Sequence, residues 1–267
     1  MSARDPGLAF TDGALQFESW SDRLWDPMGA DVVAAAGVRP GEKVLDACCG
    51  TGAATIPAAL AVGGEGTVDG VDLSTGLLRL AAAKLSERGI LNTTLTEADV
   101  TVWRGHRTFD AALCSYSMFF FADMEAGVEH LMSMVRPGGR LVTSTWLEGA
   151  LEPFAGRILE ASIKERPRLA DVVPLANKNM SRVASAESLE AWLIERGLEN
   201  VSVTTHPLTL AVDDEMAWNL VMGSGWRTLL PRDPEAIARV RRDFIKSVGP
   251  QIQMNSDALI GKGTIPA

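Results

Sequence analysis

Short apolar runs alternate with helical patterns along the first half of the chain. The runs predict five strands, at residues 43–48, 66–72, 93–96, 109–115 and 140–146. Helical spacing of apolar residues predicts helices between them, at residues 53–62, 74–89 and 124–135. This alternation is typical of a doubly wound α/β fold, in which helices cover both faces of a mostly parallel sheet.

The second half of the chain is less regular. Residues 147–200 contain three prolines and a helical pattern from Glu187 to Arg196, and we expect this insertion to cover a pocket. Beyond it, the pattern predicts a sixth strand, a helix and a short last strand, at 201–210, 235–248 and 258–261. The chain thus divides into an N-terminal helical cap (1–38), a core (39–146), a lid (147–200) and C-terminal strands with a helix (201–267).

Composition and charge narrow the classes of partner. The 267 residues are 46% hydrophobic, as in globular proteins, and carry a net charge of −9, which disfavours nucleic acid as a partner. Three cysteines without paired metal-ligand spacing predict a reduced, cytoplasmic protein without a disulfide or metal. No apolar run approaches the roughly 18 residues that cross a bilayer, so we expect no membrane segment and no export. A small molecule is the expected partner.

Two glycines, Gly50 and Gly52, follow the first predicted strand directly at the start of a helix. This placement lets a ligand approach the backbone and leaves N–H groups free to bind it. The dinucleotide-binding fingerprint requires Gly or Ala at position 55, where this chain has Thr55. Asp46, at the end of the strand, would repel a pyrophosphate and attract an ammonium group. The ligand should therefore carry a positive charge here.

Two further acids follow the next two predicted strands. Asp72 lies 20 residues after Gly52, where an acid reaches the two hydroxyls of a ribose. Asp99 follows the third strand and can accept a hydrogen bond from an exocyclic amine. Each acid also has a purely structural interpretation: Asp46 as the cap of a turn, Asp72 as a solvated strand end and Asp99 as the cap of a short helix. Taken together, they match a ligand with an amino-acid end, a ribose and an adenine, which is S-adenosylmethionine (SAM).

Five segments within about residues 40–146 resemble the class I SAM-dependent methyltransferase family. They are VLDACCGTG at 44–52, VDLS at 71–74, ADV at 98–100, FDA at 109–111 and RPGGRL at 136–141. The form Asp-x-Cys-Cys-Gly-Thr-Gly is similar to the branch with quinone-biosynthesis C-methyltransferases and many small-molecule methyltransferases of bacterial secondary metabolism. Cys48 stands where the family motif has its first glycine, which affects the local turn geometry.

The resemblance implies a sheet of seven strands, SAM as the cofactor and a set of cofactor-binding residues. That set comprises Asp46, Cys48, Gly50, Gly52, Asp72, Leu73, Asp99, Val100 and Ser115. Because a sulfonium methyl is itself the electrophile, the protein mainly has to position the acceptor in a dry pocket, and no universal catalytic residue is required.

Two residues are candidates for acting on the acceptor. Tyr116 follows the fourth strand, beside the point where the methyl group would lie, and is either a core ring or a group that orients the acceptor. His206, near the end of the sixth strand, is a candidate general base. We expect His106 and His130 on the surface. Further candidate bases are acids near the lid, namely Asp123, Glu148 and Glu152.

The predicted function is transfer of a methyl group from SAM to a small, largely apolar organic acceptor by in-line displacement. Tryptophans concentrated outside the sheet favour an apolar acceptor, which could be a quinone or a secondary metabolite. A homodimer is compatible with the sequence. Two alternatives remain: an NAD-dependent oxidoreductase on a related fold, and a SAM-fold protein that catalyses a non-methylating reaction such as a cyclisation.

Overall fold

The computed structural model describes residues 6–105, 108–171, 174–249 and 251–267. His106 lies outside these ranges. The strands form a main sheet and a small sheet of two strands. The α-helices of the described ranges are α1 (Pro6–Asp12), α2 (Ala14–Glu18), α3 (Asp26–Ala36), α4 (Thr55–Val62), α5 (Thr75–Glu87), α6 (Met124–Ser133), α7 (Phe154–Glu165), α8 (Leu175–Ser181), α9 (Ala186–Glu195), α10 (Asp214–Gly223) and α11 (Pro234–Val248). The strands are β1 (Lys43–Ala47), β2 (Thr67–Asp72), β3 (Thr93–Glu97), β4 (Phe109–Ser115), β5 (Val135–Trp146), β6 (Glu199–His206), β7 (Thr209–Asp213), β8 (Gln251–Asn255) and β9 (Ala258–Thr264).

The main sheet has seven strands in the order β3-β2-β1-β4-β5-β9-β6. All its pairings are parallel except those of β9, which runs antiparallel to both β5 and β6. The predicted doubly wound, mostly parallel seven-stranded sheet is therefore confirmed. The parallel strands and β6 all end at one edge, here called the carboxyl edge. The chain reverses its direction of travel across the sheet between β1 and β4, and open α/β sheets bind ligands at such a point.

Burial and capping explain why these residues form these elements. In β1 every residue after Lys43 is buried, as expected for a central strand with helices on both faces. Helix α5 begins where the side chain of Ser74 accepts a hydrogen bond from the Leu77 N–H. One buried cluster joins α3 and α4 to one face of the sheet, while a larger one fills the other face and the C-terminal half.

Two predicted strand boundaries are wrong. Strand β5 begins at Val135 rather than Arg140, because the predicted turn at 136–139 is an irregular stretch within the strand, with Gly138 at φ +70°. The single strand predicted over 201–210 is two strands in different sheets. Pro207 lacks an N–H and follows the last residue of β6, and β7 then pairs with β8, which the pattern did not predict.

The N-terminal helices pack closely against α10. A Cβ atom on Gly13 would lie 2.1 Å from the carbonyl oxygen of Met222, and one on Gly223 would lie 2.3 Å from the amide nitrogen of Phe17. Both contacts involve backbone, which has little room to move. Helix α9, which the sequence analysis includes in the lid, packs against β6 and β9 of the sheet.

Replacing Gly13 with Ala should therefore destabilise the protein. The added methyl group would overlap the Met222 carbonyl, and overpacking of this kind costs about 1–3 kcal/mol. Urea unfolding would measure the loss. Gly64→Ala is the matched control, since an added Cβ there meets nothing within 4 Å. Equal stability of the two variants would contradict the close packing of α2 on α10.

Candidate active site

Asp46 lies at the end of β1 with its side chain almost fully buried. Its Oδ2 accepts a hydrogen bond of 2.5 Å from the Thr55 hydroxyl, while its Oδ1 is buried without a hydrogen-bond partner. Burial, with a smaller contribution from the negative charge of Asp72, raises the pKa of Asp46 to about 7, while hydrogen bonding from Thr55 opposes the rise. Thr55, the residue that departs from the dinucleotide fingerprint, is thus the one that holds Asp46.

The glycine turn after β1 contains three residues in the left-handed region: Cys48 (φ +58°), Gly50 (φ +55°) and Gly52 (φ +88°). Cys48 therefore takes the backbone conformation that favours the glycine of the family motif, despite its side chain. Strained backbone of this kind persists where surrounding structure enforces it, often at ligand sites. Burial raises the pKa of the Cys48 thiol well above its ordinary value, which keeps the thiol neutral.

Asp72 ends β2 beside this turn. Its Oδ2 accepts a hydrogen bond of 2.9 Å from the Gly50 N–H, and its Oδ1 accepts one of 2.8 Å from the Ser74 N–H. Burial raises the pKa of Asp72, and these backbone N–H donors oppose the rise. Leu73, the next residue, is half exposed, so an apolar surface adjoins the carboxylate. Asp72 is thus a fixed acceptor rather than a freely solvated strand end.

Asp99 follows β3 at the same edge. Its Oδ1 accepts hydrogen bonds from both the backbone N–H (2.9 Å) and the hydroxyl (2.7 Å) of Thr101. The carboxylate therefore caps the turn after the strand, which agrees with its structural interpretation, and Oδ2 is the oxygen left to face a ligand. Val100 beside it is buried.

Among the described residues, four buried polar atoms without a hydrogen-bond partner lie where β1 and β4 end, and others lie elsewhere, as at Ser162 and Ser256. Besides Asp46 Oδ1, the hydroxyls of Thr51, Ser115 and Tyr116 are buried without a hydrogen-bond partner. A buried hydroxyl without a partner is costly, so such atoms need a particular explanation. Their position at the topological switch point indicates a ligand site.

An aromatic cluster connects the glycine turn to the ends of β4 and β5. It consists of Phe17, Trp25, Tyr116 and Trp146. The rings of Phe17 and Trp25 stack with centroids 4.8 Å apart, and those of Tyr116 and Trp146 lie 4.3 Å apart. Trp25 packs edge-on against both Tyr116 and Trp146. A Cβ on Gly50 would lie 3.7 Å from the Phe17 ring, so this cluster reaches the glycine turn itself.

Tyr116 has two unusual features within this cluster. Its backbone has φ +50°, in the left-handed region that is rare for an aromatic residue. Burial raises the pKa of its hydroxyl, and the negative charge of Asp31 raises it further, so the group stays protonated near neutral pH. Tyr116 is therefore a hydrogen-bond donor held in place for a partner that the described residues do not supply.

His206 ends β6 at the same edge and is held on both sides. Its Nδ1 lies 3.2 Å from Oδ2 of Asp31 on α3, and its Nε2 lies 3.1 Å from the Thr204 hydroxyl. Because a carboxylate only accepts hydrogen bonds, Nδ1 carries the proton, and the lone pair of Nε2 accepts from the Thr204 hydroxyl. Sequence reasoning selected His206 but missed Asp31.

The remaining candidates have other partners. The side chain of Asp123 caps α6 by accepting a hydrogen bond from the Ala126 N–H. Glu148 and Glu152 are exposed in the connection between β5 and α7. His130, expected on the solvated surface, is half-buried instead and donates a hydrogen bond of 2.6 Å from Nε2 to the Trp103 carbonyl oxygen.

The sequence model of a family described as a methyltransferase domain matches residues 44–139. The chain is 32% identical to the aklanonic acid methyltransferase DauC of Streptomyces sp. (strain C5) over 148 residues, which cover 55% of this chain and 67% of that protein. It is 33% identical to the demethylmenaquinone methyltransferase of Mycobacterium sp. (strain JLS) over 178 residues, which cover 66% of this chain and 71% of that protein. The chain belongs to the class I SAM-dependent methyltransferase family.

A solved structure shares the fold of this methyltransferase. A SAM-dependent methyltransferase from Geobacter sulfurreducens in complex with S-adenosyl-L-homocysteine aligns with a TM-score of 0.55 at 17% identity, over 89% of this chain and 90% of that one. Membership of the family confirms SAM as the cofactor and favours it over the nicotinamide alternative. None of the helices in the described ranges is long and apolar enough to span a membrane.

Sequence reasoning missed two residues of this candidate site, Phe17 and Asp31, and the role of Thr55 as the partner of Asp46. Phe17 and Asp31 precede β1 and reach the carboxyl edge through tertiary packing, so no local sequence pattern identifies them. Thr55 carried a signal, because it replaces Gly or Ala in a glycine motif, but its hydrogen bond to Asp46 was not foreseen.

The buried Asp46 should make the stability of this methyltransferase fall as the pH rises. Its pKa is about 7 in the folded protein and close to 3.8 when unfolded, so between these values the folded state binds the proton more tightly. Relative to Asp46→Asn, the wild type should lose on the order of 2–3 kcal/mol of unfolding free energy between pH 5 and 8. Urea unfolding at both pH values measures this, and parallel pH dependences of the two proteins would rule it out.

Proposed function

We propose that this methyltransferase transfers the methyl group of SAM to a planar, largely apolar small molecule that binds against the aromatic cluster. The observation that carries the proposal is the position of that cluster: it reaches the glycine turn through Phe17 and the end of β4 through Tyr116, whose hydroxyl is buried without a hydrogen-bond partner.

SAM binding is assigned to residues at the ends of four adjacent strands. The buried, unpartnered Oδ1 of Asp46 fits a donor with a positive charge, such as the ammonium group of SAM. Asp72, fixed by two backbone donors, suits the ribose hydroxyls, and the exposed Leu73 offers an apolar surface to the adenine. Oδ2 of Asp99 suits the adenine amine. The turn residues Cys48, Gly50 and Gly52, with Val100 and Ser115, complete the proposed set.

The aromatic cluster suits an acceptor that is flat and mostly apolar. Stacked and edge-on rings bind planar molecules well, and apolar walls exclude water from the transfer. Bound SAM supplies an electrophilic methyl group, so the protein needs to hold the acceptor in line with it, about 3 Å away. The Tyr116 hydroxyl gives the acceptor one polar anchor.

The two curated relatives support a small organic acceptor, since one is an aklanonic acid methyltransferase and the other a demethylmenaquinone methyltransferase. The homodimer, the exclusion of nucleic acid, the cytoplasmic location and the four-part division of the chain stay predictions.

Replacing Asp72 with Ala should weaken binding of SAM and of S-adenosylhomocysteine more than tenfold, because the ribose loses its charged acceptor. Calorimetric titration measures both ligands, with NAD as a negative comparison. Glu97→Gln is the matched control, an exposed acid that pairs with Asp72 at the end of the neighbouring strand, and it should bind both ligands as the wild type does. Equal affinity of Asp72→Ala and wild type would refute the assigned ribose contact.

The acceptor class is tested with 7-methoxycoumarin, a planar probe without an acidic hydroxyl. We expect it to bind the protein loaded with S-adenosylhomocysteine, and Trp25→Leu to weaken that binding roughly five- to tenfold through loss of aromatic contact. Equilibrium dialysis measures the affinity. Ile194→Ala, an exposed apolar position on α9, is the control and should leave affinity unchanged. No binding to the wild type would count against a planar acceptor.

A further inference from the structure

The register of the sheet places His206 and the aromatic cluster in one row. His206 of β6 pairs with Ala258 of β9, and Ala258 pairs with Trp146 of β5. Paired residues of neighbouring strands point to the same face of a sheet, so the three side chains lie side by side. Tyr116 packs on Trp146 at the end of this row. The residue between the imidazole and the rings is thus an alanine, which has little side chain to separate them.

Asp31 joins the two ends of the row. Its carboxylate accepts a hydrogen bond from Nδ1 of His206. Its negative charge also raises the pKa of the Tyr116 hydroxyl. Asp31 is on α3, which packs across β4, β5 and β9. The row therefore brings three groups of complementary chemistry to one face of the sheet: a carboxylate, an imidazole whose Nε2 is bonded to the Thr204 hydroxyl, and a buried O–H donor.

When Nδ1–H of an imidazole donates a hydrogen bond to a carboxylate, Nε2 is the nitrogen that can accept a second proton. The carboxylate fixes the tautomer and stabilises the imidazolium that forms. Nε2 has one hydrogen bond, of 3.1 Å, to the Thr204 hydroxyl. Thr204 is exposed, so its hydroxyl can rotate away. Imidazole is the side chain most often used for general acid–base catalysis, and this geometry suits a general base.

We infer that His206, positioned by Asp31, takes the proton of an acceptor hydroxyl whose oxygen is bound by the Tyr116 O–H, so that the acceptor is a phenol or an enol. The inference rests on the proposed planar acceptor. A carboxylic acid is already ionised near neutral pH and needs no base. A protonated amine offers only donors and would leave the Tyr116 donor without a partner, whereas a phenolate or enolate oxygen accepts from it.

The proposed step balances as follows. The acceptor oxygen forms a bond to the methyl carbon, the carbon–sulfur bond breaks with its electron pair remaining on sulfur, and the acceptor proton ends on Nε2 of His206. The imidazolium then returns this proton to water. His206 is the catalytic residue of the step, Tyr116 binds the acceptor oxygen, and Asp31 is a positioning residue.

The first test measures ionisation of a bound probe. We expect the wild type, loaded with S-adenosylhomocysteine, to bind 7-hydroxycoumarin and to raise its phenolate fraction severalfold over the same buffer without protein, as read by absorbance. His206→Gln should bind the probe within about twofold of wild type but leave it neutral, and Asp31→Ala should lower the phenolate fraction severalfold. Thr205→Val, the next residue on β6 with its side chain on the opposite face, is the matched control and should behave as wild type.

The second test reads the imidazole directly, without any ligand. Nitrogen-15 NMR of the three histidines, with His206 assigned by its loss in His206→Gln, should show the Nδ1–H tautomer in the wild type. Asp31→Ala should convert it to a mixture of tautomers, and Asp31→Asn, which keeps an acceptor oxygen, should restore it. An unchanged spectrum in Asp31→Ala would overturn the positioning role.

The outcomes separate the base from the acceptor class. If the wild type binds 7-methoxycoumarin and 7-hydroxycoumarin but leaves the hydroxyl neutral, or if His206→Gln ionises it as well as the wild type, the base is wrong and the planar acceptor stands. If neither coumarin binds while S-adenosylhomocysteine does, the planar acceptor fails and the inference fails with it.

Discussion

Asp46 lies at the end of β1, the strand that pairs with both β2 and β4, and its carboxylate is almost fully buried. A buried charge destabilises the fold unless it is paired. The Thr55 hydroxyl partly offsets this cost by donating a hydrogen bond to the carboxylate. The second carboxylate oxygen is left for a ligand. Because the central strand carries this group, a ligand with a positive charge at the switch point would stabilise both the proposed site and the strand on which the sheet is built.

The same edge contains other features that are unfavourable without a ligand. Cys48 and Tyr116 have left-handed backbone, and the hydroxyls of Thr51, Ser115 and Tyr116 are buried without partners. Such features also occur elsewhere, as in the unpartnered hydroxyls of Ser162 and Ser256 and the left-handed backbone of Leu151 and Asn200. Those named here share one place, the ends of the two adjacent strands β1 and β4, where a methyl donor and its acceptor would meet. The fold is locally unfavourable where the proposed chemistry takes place, as is common at functional sites.

The arrangement at the proposed cofactor edge was predictable from the sequence because each of its features is local. A strand, a glycine turn and the helix after it follow one another within about twenty residues, and the acids Asp72 and Asp99 come directly after the next two strands. Parallel pairing then brings these strand ends together without further information. Two predicted strand boundaries were wrong. The one at Arg140 depended on an irregular pairing and the one after His206 on a proline, and neither feature changes the apolar pattern.

The acceptor side could not be predicted in the same way, because its residues come from distant parts of the chain. Phe17, Trp25 and Asp31 precede β1, and His206 follows it by about 160 residues. Their meeting depends on how α1 and α2 pack against α10, where Gly13 and Gly223 allow backbone to touch backbone. This packing has a functional consequence. The helices that bring Phe17 over the glycine turn lead directly into α3, which carries Asp31, so a displacement of the N-terminal helices would disturb the cofactor site and the proposed base together.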